Sequence, residues 1–356
     1  MKRETLLKAI EYILPGVDKP GSPLGMDFLL FDKGWLRSFN DAVSVSFFAE
    51  SPKSIQCAVK VLEFYKVLSK MEEEDVKISL EDKKLIIKSS KTTLRMVLME
   101  EKQLDLFKER IISLNTEELK WKKIPKGLME GLDLCSSGTT ENIVLGVMAS
   151  IFFSKNQIYS TDSHRISIYT MEGEISSDFL LPVEVTKGVI KYGMDSQFIS
   201  ITDSWIHFKN SSNLIISTRR GMGEYPVDKI EKVFSSNFLE KKPKTYQFPK
   251  ELESSLDRVD ALAGVGEDMD VGASPMISLK REGNFLIVRG EKNVGDVEDK
   301  IEWKDKTLPE KIEIKASPDF LKKVLKITQE FQISSEKNSI LFNAPNFRYV
   351  MVAMIK

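Results

Sequence analysis

Leu6, Leu7, Ile10, Ile13 and Leu14 recur at spacings of three, four and seven. That lays them along one stripe of a helix over residues 5–14, which Pro15-Gly16 ends. Period-two apolar runs then predict strands at 26–31, 35–39 and 43–48. Ser51-Pro52 is expected to open a second helix reaching about residue 70. Two closing hairpins follow, with strands at 76–80, 84–88 and 94–99.

The same order returns twice. The second copy reads as helix 125–134, strands 143–153, 157–160 and 166–170, helix 182–192, then strands 198–202, 205–208 and 214–218. The third reads as helix 249–262, strands 276–280, 285–290, 297–303 and 312–315, helix 318–328, then strands 331–334, 340–342 and 349–355. A proline (Pro52, Pro182, Pro318) stands at or near the start of each second helix, where its missing N–H costs nothing. Matching turns at Asp41, Asp162 and Asn293 lie 121 and 131 residues apart. Such self-similarity decides architecture before any local motif does. The chain is expected to be α+β, three tandem domains at 1–117, 118–240 and 241–356, each with two helices and antiparallel sheets. The joins fall in polar, charged stretches near 114–122 and 238–244.

Composition narrows the function classes. Lys plus Arg total 52 against 53 for Asp plus Glu, so any contact with nucleic acid must come from charge segregation within the fold. Cys57 and Cys135 show no metal or disulfide spacing and read as core residues of a protein in a reducing cytoplasm. His164 and His207 lack neighbouring ligands, so no metal and no cofactor is expected. The longest apolar run, 143–153, is too short to span a bilayer.

The segment Tyr159-Ser160-Thr161-Asp162-Ser163-His164-Arg165-Ile166 resembles the apolar-x-Thr-Asp-Gly-His-Arg-Leu segment of bacterial DNA polymerase sliding clamps, the β subunits of DNA polymerase III. Gly223-Glu224-Tyr225-Pro226-Val227-Asp228 resembles that family's Gly-x-Phe-Pro-Asp-Tyr. Tyr349 to Lys356 resembles its closing Tyr-Val-apolar-Met-Pro-Met-Arg-Leu. The resemblance covers the whole chain in element order but only the second and third copies in motif. Ser163 replaces the family's Gly, Ile166 its Leu and Ala353 its Pro, a drift that suits a divergent member such as one encoded by a bacterial virus. The family's fold is the clamp-type (processivity) domain, ring-forming, with two chains of three domains closing a six-domain ring around duplex DNA. By resemblance, the partners are DNA polymerase and a clamp loader that hydrolyses ATP elsewhere. They dock peptides in a groove formed here by Leu145, Thr161, Ser163, His164, Arg165, Ile166, Pro226, Val233, Val350, Val352 and Met354. The resemblance also puts Leu94, Met96 and Leu262 at the contact of a homodimer.

A ring that slides needs a positive lining that meets phosphates without reading bases. At 100° per residue, the helix at 318–328 separates Phe320, Leu321, Val324, Leu325 and Ile327 from Lys322, Lys323 and Lys326. Lys187 and Lys191 share a face in the second copy, and Lys60, Lys66 and Lys70 lie on a polar face in the first. Lys126, Lys250 and Arg258 belong to the first helices of their copies. The plainer alternatives stay open: lysines on a solvated face, groove residues that are ordinary core, and dimer residues that pack within a domain. Enzyme readings find little footing. Glu72 to Asp75 suits a solvated turn, Asp268-Met269-Asp270 lacks calcium-loop spacing, and Gly264-Val265-Gly266 lacks a third glycine. The rival function is a clamp-like monomeric adaptor that binds replication proteins without encircling DNA.

Overall fold

The computed structural model describes residues 1–22, 25–49, 51–237, 244–263, 276–292, 295–303, 312–334 and 338–355, apart from the side chains of 236, 237, 262, 263 and 292. The first copy runs α1 (Arg3–Ile13), β1 (Phe28–Asp32), β2 (Trp35–Phe39), β3 (Val43–Phe48), β4 (Gln56–Lys60), α2 (Val61–Ser69), β5 (Lys77–Glu81), β6 (Lys84–Lys88), β7 (Thr93–Val97) and α3 (Glu101–Ile112). The second runs β8 (Lys122–Lys123), α4 (Leu128–Ser136), β9 (Ser150–Ser154), β10 (Gln157–Thr161), β11 (Arg165–Thr170), β12 (Phe179–Pro182), α5 (Val183–Gly193), β13 (Phe198–Ile201), β14 (Trp205–Lys209), β15 (Leu214–Arg219) and α6 (Val227–Asn237). The third runs β16 (Thr245–Gln247), α7 (Leu252–Ala263), β17 (Ile277–Glu282), β18 (Phe285–Lys292), β19 (Gly295–Glu302), β20 (Glu313–Ala316), α8 (Pro318–Leu325), β21 (Glu330–Ser334), β22 (Ser339–Ala344), β23 (Phe347–Val352) and β24 (Met354–Ile355).

The chain groups into two compact units, Met1–Met129 with Ile175–Met222 and Glu130–Glu174 with Gly223–Lys356. In the first, one antiparallel sheet has the order β4-β1-β2-β3-β15-β14-β13-β8, and a smaller one has β5-β6-β7. Its middle rung joins two copies of the repeat: β3 pairs with β15 from Val43↔Thr218 to Phe47↔Leu214. The second unit repeats the device. Its main sheet runs β9-β10-β11-β23-β22-β21-β16, with β11 paired to β23 from Arg165↔Met351 to Tyr169↔Phe347. Its other sheet is β19-β18-β17-β20-β24.

Helix α1 buries Leu6, Ala9, Ile10 and Ile13, the stripe that its spacing predicts. Helix α3 covers the first unit's large sheet, setting Phe107, Ile111 and Leu114 against Leu30, Phe39, Ala58 and Trp205. In the second unit, Phe248 stacks on Phe331 with ring centroids 3.9 Å apart, and Trp303 donates its indole N–H to Gln247 O at 2.8 Å. Among the described residues, no helix is long and apolar enough to cross a membrane, and no cluster of three or more His, Cys, Asp or Glu could hold a metal ion. Cys57 and Cys135 are free and buried, and burial pushes both thiols up, that of Cys57 to about 12.

The structure departs from the sequence pattern at several points. Residues 51–60 do not join a helix: β4 pairs with β1 from Phe28↔Lys60 to Asp32↔Gln56, satisfying a strand edge. Pro52 therefore precedes that strand, and Lys60 occupies the N-cap position of α2. The run 143–149 is two short 3-10 turns broken at Gly146 (φ 59°), where Asn142 Oδ1 accepts the Val144 N–H, so the strand starts only at Ser150. Helices α3 and α6 add a third helix to the first two copies. The turn equivalence also shifts by one: Asn40 Oδ1 accepts from Ala42 N and Val43 N as Asp162 Oδ1 accepts from His164 N and Arg165 N. Asp41 (φ 63°) thus matches Ser163 (φ 74°), while Asn293 lies outside the described residues.

His207, 1 % exposed on β14, meets Ser217 Oγ through Nδ1 at 2.7 Å. Burial pushes its pKa down to about 4. The unfolded chain, with an ordinary histidine pKa near 6.5, binds this proton first, so stability falls as pH drops from about 6.5 toward 4. We expect this residue to remove roughly 2 kcal/mol between pH 8 and pH 5. Urea titrations of wild type and His207→Gln at both values check it: the wild-type loss should exceed that of the variant.

Candidate functional site

Strand alternation sorts the predicted groove residues by face. On β11 and β23, Ile166 is directly opposite Val350, and the Val352 N–H donates to His164 O at 2.8 Å. Thr161 pairs with Ile166, so Thr161, Ile166, Val350 and Val352 share one face of the sheet. Phe152 and Tyr159 lie on that face, where Tyr225 stacks on Phe152 at 5.3 Å and 20°. Helix α6 packs there too: Arg348 reaches Glu231 at 3.5 Å and lies over the Phe234 ring at 4.7 Å. Burial and then Glu231 push the Tyr159 phenol up to about 12.

Pro226 stands at the α6 start, where its carbonyl accepts the Ile230 N–H, and Val233 is half-buried on the helix. Leu145 is half-buried among exposed Ile143 and Val144. Gly223 (φ 121°) is required here, since a Cβ would sit 2.6 Å from Val147 Cγ1. Val352 and Met354 are 47 % and 46 % exposed, large apolar groups that the fold leaves uncovered. Met354 belongs to a different sheet, paired with Lys315 on β20. At the crossing, Ala353 donates its N–H to Asn338 O at 2.8 Å, a bond the family's proline could not make.

Arg165 points the other way. Its Nε donates to Asp162 Oδ2 at 2.7 Å, Nη2 donates to Thr139 O at 3.0 Å, and the guanidinium lies 3.9 Å from the Phe320 ring of α8. The arginine ties the strand end to a helix on the opposite face. His164 and Ser163 are exposed on the turn, where Ser163 adopts the left-handed conformation that glycine favours. Thr161 Oγ1 donates to Arg165 O at 2.8 Å and closes the turn.

The helix-borne cations divide as well. Lys66 and Lys70 are exposed at the end of α2, as are Lys126, Lys187, Lys191, Lys250, Lys323 and Lys326 on or beside α4, α5, α7 and α8. Lys60 is held by Asp27 at 3.1 Å, and Arg258 donates to Asp299 through Nε at 3.0 Å. Lys322 lies between Asp257 at 2.9 Å and Asp260 at 2.8 Å; burial opposes its charge, but the two carboxylates outweigh it and raise its pKa. Those carboxylates sit on other elements, which helical periodicity cannot reveal. Leu94 and Met96 are half-buried on β7, whereas the side chain of Leu262, on α7, and the loop carrying Asp268 and Asp270 lie outside the described residues.

At the level of sequence, no protein-family model and no curated protein matches the chain. Solved structures do match. The Helicobacter pylori beta clamp bound to a DNA ligase peptide is similar with a TM-score of 0.76 and 15 % identity, covering 99 % of each chain. The Bacillus subtilis DNA polymerase sliding clamp and the Thermotoga maritima DNA polymerase III beta subunit follow with TM-scores of 0.72 and 0.71, each at 17 % identity, covering 99 % of this chain and 98 % of theirs. From end to end, the fold of this chain is that of the bacterial DNA polymerase III beta subunit.

Proposed function

We propose that this protein is a DNA polymerase processivity factor, a non-enzymatic sliding clamp that closes as a homodimeric ring around duplex DNA. Its three domains would be residues 1–117, 118–240 and 241–356. The observation that carries the reading is a pair of strand edges. Strand β3 of the first copy meets β15 of the second, and β11 of the second meets β23 of the third. By the same rule β19 of the third copy should meet β7 of a first copy, yet each pairs with a single described strand, β18 and β6. Unpaired strand edges seek partners, and a second chain supplies them.

The register of that missing ladder follows from the repeat. Each β-hairpin opens on an equivalent pair, Trp35↔Phe48, Gln157↔Thr170 and Phe285↔Glu302, which makes Val45, Ser167 and Asp299 equivalent. The rungs Ile199–Phe208–Ile216, Phe331–Phe342–Tyr349 and Ile78–Ile87–Leu94 make Ile216, Tyr349 and Leu94 equivalent. Since Val45 faces Ile216 and Ser167 faces Tyr349, Asp299 would face Leu94, Glu298 would face Arg95 and Val297 would face Met96 of the other chain. Arg95 and Glu298 are both exposed, one cation opposite one carboxylate.

The cytoplasm of a bacterial or infected cell is where such a protein would work. The exposed lysines on or beside α2, α4, α5, α7 and α8 would meet phosphates weakly and without sequence preference. DNA polymerase and a clamp loader would dock peptides on the α6 face beside Ile166, Val350, Val352 and Met354. A bound apolar side chain there would cover surface that the monomer leaves wet.

Three outcomes are expected. Sedimentation should give a dimer for wild type, with the dissociation constant raised at least about 100-fold by Arg95→Glu and largely restored by adding Glu298→Arg. A monomeric wild type would favour the adaptor reading instead. Loaded onto nicked circular DNA by a clamp loader, the protein should stay bound through gel filtration and be lost once the circle is cut. Val352→Asp should weaken binding of the H. pylori ligase peptide by about tenfold or more in calorimetry, by placing a charge in an apolar contact; unchanged affinity would move the groove elsewhere.

A further inference from the structure

A cavity of about 500 Å³ opens on the α3 side of the first unit, and its lining includes none of the proposed groove, dimer-contact or phosphate-facing residues. Its floor is the outer end of β1, β2 and β4, and its wall is the end of α3 with the segment that follows it. Leu30, Trp35 and Ile111 give it apolar sides, and Lys33, Arg37 and Lys108 stand against Asp32 and Glu117.

Arg37 is the informative residue. Its side chain is only 13 % exposed, yet its hydrogen bonding is nearly unspent. Nη1 donates to Ser46 Oγ at a long 3.4 Å, and Nε lies 3.5 Å from Asp32 Oδ2, inside ion-pair range but with no hydrogen bond. Asp32 is shared, since Gln56 Nε2 also points to its Oδ1 at 3.4 Å. The Trp35 ring lies 5.1 Å from the guanidinium and is itself fixed edge-on against Phe48 at 5.3 Å. Burial works against the charge of Arg37 and lowers its pKa, with Asp32 and Glu117 only partly offsetting it. A buried guanidinium with idle donors is costly unless something enters to use them.

We propose that this cavity binds a small organic carboxylate with a flat apolar body, the carboxylate held by the Arg37 fork and the body lying against Trp35, Leu30 and Ile111. Arginine presents parallel N–H groups that match a carboxylate two to two, and a cavity of this volume suits a small ligand. Lys108, which has no ion-pair partner among the described residues, adds a second positive charge at the wall, and Lys33 stands at the rim.

Titration of benzoate into the full chain, followed through the indole N–H resonance of Trp35 assigned with Trp35→Phe, tests the proposal. Saturable binding is expected, with benzamide, the neutral isostere, at least about tenfold weaker, because it offers no charge to the guanidinium. Arg37→Met should weaken benzoate by about tenfold or more, and Lys108→Met by a smaller factor; the latter keeps the test alive if Arg37→Met does not fold. N-acetylphenylalanine binding alongside benzoate would support a peptide C-terminus as the natural source, and benzoate alone would support a free small acid. The proposal fails if benzoate does not saturate, if benzamide binds equally, if inorganic phosphate binds as tightly, or if neither variant changes the affinity.

Discussion

The backbone ladder between copies of the repeat is the interaction on which the rest depends. Five consecutive residue pairs join β3 to β15, and five join β11 to β23. These rungs turn half-sheets from neighbouring copies into continuous sheets with a shared core. Neither half could bury its open edge alone, and an unpaired row of buried N–H and C=O groups is costly. The compact units consequently divide the second copy between them. A fold built by this rule from a finite number of copies leaves one half-sheet over at each end, and those are the two edges to which the proposed function is tied.

The turn at the end of β10 shows how one local structure sets several site features. The Asp162 carboxylate caps two backbone N–H groups of its own turn and receives Arg165 Nε, so the loop is fixed from both sides. That fixing sends Arg165 to the helix side while its neighbour Ile166 goes to the α6 face. The first copy keeps the turn with a neutral residue, Asn40, and has Val43 where Arg165 stands. Only the backbone cap is common to both, so the charge at Asp162 serves the arginine and through it the packing of α8.

Much of this architecture was legible in the chain. The bounds of β2, β3 and β6 match their apolar alternation to the residue, and the stripe on α1 is the one its spacing predicts. What failed did so for identifiable reasons. The run 57–59 is buried on both faces, with Cys57, Ala58 and Val59 all within 1 % of full burial, so it carries no period to read. The 143–149 segment is apolar without being a strand, because its backbone is set by Asn142 and Gly146 rather than by a ladder. Helix α3 was readable, since Leu104, Phe107, Ile111 and Leu114 hold helical spacing. Among site residues, the sequence could nominate the groove strand but not the direction of Arg165, which the pairing of β11 and β23 decides.

Charge is the last constraint that the fold resolves. With 52 cations against 53 carboxylates, affinity for a polyanion must depend on which lysines the protein leaves unneutralised. The structure spends Lys60, Lys322 and Arg258 on Asp27, on Asp257 and Asp260, and on Asp299. A cation spent on an internal carboxylate contributes little to counterion release, so under the proposed function these residues should barely affect the salt dependence of DNA binding. Lys66, Lys70, Lys250 and Lys326 remain exposed at or beside helix ends. Few contacts of this kind give a shallow salt slope and a weak hold. The proposed clamp needs just that, because retention is then left to topology and every contact must be easy to break.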